Sequence, residues 1–99
     1  MAVIKLTPEL LEEQATNLVS YAEQNDQVIA DLDGIVNGLL TGWEGPAQQA
    51  FTESYKSKRA TFESFTEVMR SFATEVQKFA EVMREQEEMQ KNKAQELAL

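Results

Sequence analysis

Two long stretches with apolar residues at every third or fourth position, separated by one break at 41–46, constrain this chain more than any other feature. In the first stretch Leu11, Ala15, Leu18, Ala22, Asn25, Ile29, Leu32, Val36 and Leu39 alternate steps of four and three, and Asn25 is the one polar member. Such spacing is the seam of a helix that packs lengthwise on another helix. Thr7-Pro8-Glu9 marks its start. Threonine caps, proline suits the first helical position because its missing N–H has no partner there, and Glu9 meets the positive end of the dipole. Leu40-Thr41-Gly42 ends the helix, with Gly42 suited to a left-handed cap. Gly45-Pro46 restarts the chain as a second helix, whose stripe runs through Ala47, Phe51, Tyr55, Phe62, Phe65, Met69, Phe72, Val76, Phe79 and Met83. Gln86 and Gln90 take the next positions, and 84–99 is mostly polar. The expected organisation is one helical-hairpin domain over 1–99. Helix one covers about 8–40, a turn 41–46, helix two about 47–85, and a frayed or flexible tail about 86–99.

A short connection makes the two helices antiparallel neighbours. A turn centred on Trp43 sets Leu11 beside Val76, and Asp31 and Asp33 near Tyr55, Lys56, Lys58 and Arg59, where exposed ion pairs contribute little. Each apolar stripe of a lone hairpin is covered on one side only. Four of the five phenylalanines fall within 62–79, and full burial of each is worth about 1.5–3 kcal/mol. The expected fold is therefore all-α, an antiparallel helical hairpin dimerising into an elongated four-helix bundle. Its core and dimer seam take Leu11, Leu18, Ile29, Leu32 and Val36 from helix one. Helix two contributes Phe62, Phe65, Met69, Phe72, Val76 and Phe79. Gly34, Gly38 and Gly42, four apart, read equally as a close-approach face or as a fraying helix end.

The chain has no cysteine and no histidine, which removes disulfides, thiol nucleophiles, Ser-His-Asp triads and zinc sites built on those residues. A net charge of −8 opposes nucleic acid and disfavours an anionic membrane surface. No apolar run approaches the roughly 20 residues of a membrane span, and Met1-Ala2-Val3-Ile4-Lys5-Leu6 lacks the features of a signal peptide. The carboxylates lie on polar helix faces with no apolar surround to shift their pKa, and no phosphate loop or metal motif occurs. The chain reads as a non-enzyme without cofactor or metal.

Trp43-Glu44-Gly45, followed at helical spacing by Ala47 and Phe51, stands in the centre of a chain near one hundred residues. With the Pro8 start and the helix–turn–helix layout, this resembles the WXG family of small proteins exported by type VII secretion systems, related to the mycobacterial early secreted antigen. The opening Ile4-Lys5-Leu6-Thr7-Pro8-Glu9 is similar to that of Firmicute members, which tend to form homodimers. The resemblance implies a protein secreted without a cleaved signal peptide, as a virulence-associated factor or co-secreted adaptor working through protein–protein contact. Its partners would be itself or a paralogous WXG protein, and a membrane secretion ATPase. The family's C-terminal export motif, often tyrosine followed four residues later by Asp or Glu, is matched in part: Glu87 keeps the acid, whereas Met83 replaces the aromatic. Trp43 and Met83 lie about 60 Å apart along one helix, so a signal joining Trp43, Glu44 and Gly45 to Met83 and Glu87 requires two subunits. Trp43 itself reads either as a plug at the bundle end or as a recognition anchor. The competing functions are an intracellular coiled-coil adaptor, whose seams would look the same, and a membrane-active effector after export.

Overall fold

The structure, a computed structural model, describes residues 5–98; Met1–Ile4 of the opening segment and Leu99 of the tail lie outside the described residues. It consists of two helices, α1 (Pro8–Leu40) and α2 (Pro46–Leu97), folded back on each other in a rod of 82 × 23 × 22 Å. The all-α antiparallel hairpin expected from the periodicity is the observed fold. α1 starts where its cap predicts: the Leu10 N–H donates to Thr7 Oγ1 at 3.1 Å, with Pro8 in the first turn.

α2 is helical through Leu97, past the boundary near 85 that the end of the apolar stripe suggested. Residues 84–97 are built from Glu, Gln, Lys, Met and other good helix formers, with neither glycine nor proline to interrupt them. Propensity thus carries the helix on after its packing partner has ended. Residues 85–97 extend beyond the start of α1 by about 20 Å.

The interface between the helices is made of small side chains. Ala15, Ala22, Ala73 and Ala80 are buried at 2% exposure or less, with Ile29, Val36 and Thr66 beside them. No large side chain among the described residues is fully buried. Asn25 crosses this seam, its amide donating to the Phe62 carbonyl at 2.9 Å and to Thr66 Oγ1 at 2.8 Å. The one polar member of the α1 stripe is thereby satisfied by α2, as a partly buried amide must be.

The helices meet further along α2 than a count outward from Trp43 gives. Glu12 reaches Arg84 at 2.7 Å and Asp26 reaches Arg70 at 2.8 Å, so Leu11 lies level with the turn after Val76 rather than with Val76 itself. Side chains lean toward the N-terminus of their own helix. On α1 that lean points away from the turn and on α2 toward it, so the two displacements add.

Candidate functional site

Three surfaces carry the residues singled out by the sequence: the turn, one flank of the hairpin, and the projecting end of α2.

At the turn, Gly42 has φ 76° and Gly45 φ 116°, ψ −178°. The Gly45 conformation is open to glycine and strained for any L side chain. A Cβ there would meet no atom within 4 Å, so the backbone rather than space requires the glycine. Gly45 also caps α2, its carbonyl accepting from the Gln49 N–H at 3.2 Å. Trp43 is tied to the end of α1 through its N–H to the Leu40 carbonyl at 3.1 Å, and its ring leans on Phe51 with centroids 5.4 Å apart at 46°. It keeps 38% of its surface exposed. Glu44 is exposed beside it.

The two flanks of the hairpin differ sharply. Along one run the interhelix ion pairs: Arg84 with Glu9 and Glu12, Arg70 with Asp26, and Arg59 with Asp33. α1 contains acids but no lysine or arginine, and all three arginines stand on α2. Arg59 grips both oxygens of Asp33 at 2.9 and 3.0 Å, Tyr55 donates to the same carboxylate, and Arg59 also bonds Glu63. The Arg59 bonds first, and then the Tyr55 hydroxyl, hold the Asp33 carboxyl below the usual aspartate range. The sequence set Asp33 near Tyr55, Lys56, Lys58 and Arg59 but did not single out Arg59 from the neighbouring lysines; a cation one turn beyond Tyr55 on the same face was the available signal.

The other flank is apolar and open. The stripe expected as one seam divides in two. Ile29 and Val36 are buried between the helices, and Leu11, Leu18, Leu32, Met69 and Val76 are half-buried at the edge. Phe62, Phe65, Phe72 and Phe79 are 39–58% exposed; Phe65, Phe72 and Phe79 turn away from α1, whereas Phe62, four residues before the buried Thr66, stays at the edge of the helix contact beside Asn25. Tyr21, Val28, Ile35 and Leu39 of α1 and Val68 and Val82 of α2 extend this outward face. Phe65, Phe72 and Phe79 each sit one step round the helix from Thr66, Ala73 and Ala80, small residues that a pattern of large apolar side chains does not mark as the helix contact.

On the projecting end of α2, Met83 is half-buried whereas Glu87 and Met89 are exposed. The chain's own turn lies at the opposite end of the rod, so Met83 and Glu87 are not brought to Trp43 within one subunit. Among the described residues no acidic cluster is arranged to hold a metal ion, and no helix is long and apolar enough to cross a membrane.

A helical hairpin with a tryptophan-glycine turn and one uncovered apolar flank defines a class of small helical pairing proteins. The family model for proteins of 100 residues with WXG matches residues 3–88, and the chain belongs to this WXG100 family, whose small helical proteins are associated with type VII secretion. Among solved structures it is similar to EsxB, a secreted protein of Bacillus anthracis strain Sterne, at 28% identity and a TM-score of 0.78, covering 88% of this chain and 99% of that one. It is also similar to EsxA of Geobacillus thermodenitrificans, at 26% identity and a TM-score of 0.75, covering 88% and 95%. An uncharacterised protein of Clostridium acetobutylicum is 34% identical over 61 residues, 62% of this chain; the match spans 64% of that relative's length.

Proposed function

We propose that the protein is exported by a type VII secretion system as an antiparallel homodimer, and that it acts outside the cell through protein–protein contact as a virulence-associated factor or co-secreted adaptor. One observation carries this reading: an intact Trp43-Glu44-Gly45 turn, with a part-exposed tryptophan, stands on a hairpin whose Phe65, Phe72 and Phe79 are uncovered. Apolar area of that extent is stable in water when a second surface covers it. In an antiparallel pair the partner's tail runs beside the turn, so Trp43 of one subunit approaches Met83 and Glu87 of the partner subunit. The secretion ATPase would then read a signal that exists only in the dimer. Trp43 supports both roles assigned to it by packing on Phe51 while leaving over a third of its surface for a partner.

The test is Trp43→Arg in a producing cell. Intact, uncleaved parent protein is expected in the culture supernatant without lysis, and the variant is expected to stay inside with its helix content retained. Normal export of the variant would sink the composite signal. A parent protein that never leaves the cell would favour an intracellular adaptor instead.

A further inference from the structure

We propose that the second copy seats on the apolar flank in one register, with the two-fold axis passing through Asn25, and that Asn25 sets that register. This rests on the self-pairing proposed above and names its geometry.

Along the open edge of the helix contact α1 carries the row Leu11, Leu18, Asn25, Leu32 and Leu39, half-buried except for the exposed Leu39, five residues at intervals of seven. The row is symmetric about Asn25. An antiparallel copy of α1 therefore lays Leu18 on the partner's Leu32 and Leu11 on the partner's Leu39, with Asn25 facing its own counterpart. A slip of one heptad sets an asparagine against a leucine on both sides. A lone asparagine in a helical seam selects one register in this way, because opposite leucine the amide oxygen that α2 does not use is left without a partner.

α2 independently points to the same level. Asn25 is bonded to Phe62 and Thr66, so the axis crosses α2 close to Thr66. About that point the exposed Phe62 meets the partner's Phe72, and Phe65 meets the partner's Val68. Lys58 then falls opposite the partner's Glu75, which gives two symmetry-related pairs of opposite charge at the rim. A pair with the turns side by side lacks this fit. It would lay α1 on the partner's α2, setting the exposed Ile35 and Leu39 against the partner's Ser54 and Lys58.

The Asn25 amide also has capacity left for the pair. Its nitrogen serves α2, whereas among the described residues no donor reaches its Oδ1. Inside the bundle that oxygen needs a donor from the other copy or a water on the axis.

The absence of cysteine makes the axis measurable by disulfide mapping, since a residue on a two-fold axis links to its own copy. Asn25 is left intact, and Phe65→Cys and Val68→Cys, which face each other across the axis, are expected to oxidise to a covalent dimer as the major product when the two variants are mixed. Leu18→Cys and Leu32→Cys are expected to link only when the two variants are mixed. Self-linking of Leu18→Cys or Leu32→Cys in place of the mixed product would overturn the register while leaving the dimer in force. A monomer by light scattering for the unaltered chain would overturn the self-pairing itself. Asn25→Leu is expected to remain dimeric but to spread the cross-links of the Phe65/Val68 and Leu18/Leu32 mixtures over several registers. An unchanged pattern in that background would remove Asn25 from its role.

Discussion

Asp33 shows how one residue ties the turn end of the hairpin together. Its carboxylate accepts from both Arg59 and Tyr55, and the Arg59 bonds contribute most to holding its pKa below the ordinary 3.8. A carboxyl with a lowered folded-state pKa stabilises the fold above its unfolded value, and that stability is lost as pH falls through the lowered one. Asp33→Asn should therefore lower the melting temperature at neutral pH and flatten the decline on the acid side, as pH falls below the ordinary aspartate value of 3.8. Circular dichroism melts across that range measure it; an acid limb as steep in the variant as in the parent would exclude Asp33 as its source. The same bond raises the Tyr55 pKa above 10.0, so its contribution persists at neutral pH and disappears as pH climbs through the raised value.

At the scale of the element, alanine spacing decides how the helices sit. Ala15 and Ala22 on α1 and Ala73 and Ala80 on α2 are buried almost completely, and a larger side chain at any of them must push the helices apart. Ala22→Leu should cost about 1–3 kcal/mol through overpacking, despite leucine's good helix propensity. Urea denaturation reads that loss as a lower midpoint, and an unchanged midpoint would mean the helices do not touch at that layer. α2 gives the complementary case: beyond Arg84 it has no α1 to pack on, yet its composition keeps it helical to Leu97. Packing and propensity act on different parts of one helix.

For the whole molecule, the asymmetry between flanks is the governing fact. Ion pairs close one side of the seam, and phenylalanines stand open on the other. A chain of this size with so much uncovered apolar surface has little core of its own. The dimer proposed here makes stability depend on concentration: each tenfold rise in protein should add about 1.4 kcal/mol per dimer, with the melting temperature rising accordingly. Scanning calorimetry over two decades of concentration checks this, and a constant melting temperature would speak for a self-sufficient monomer.

The sequence by itself determined what depends on neighbours along the chain. The Thr7 cap, the glycine-proline turn and the three-four repeat fix two helices and one reversal, because capping, backbone conformation and helical period are local properties. The WxG turn was legible for the same reason. Only the tertiary structure decided which apolar residues face inward. Periodicity identifies a stripe but not its centre, and a shift of one position round the helix separates Ala73, in contact with α1, from Phe72, turned away from it. The offset between the helices and the Arg59–Asp33 clamp were likewise undetermined, since they depend on side-chain lean and reach across a contact that no single helix specifies.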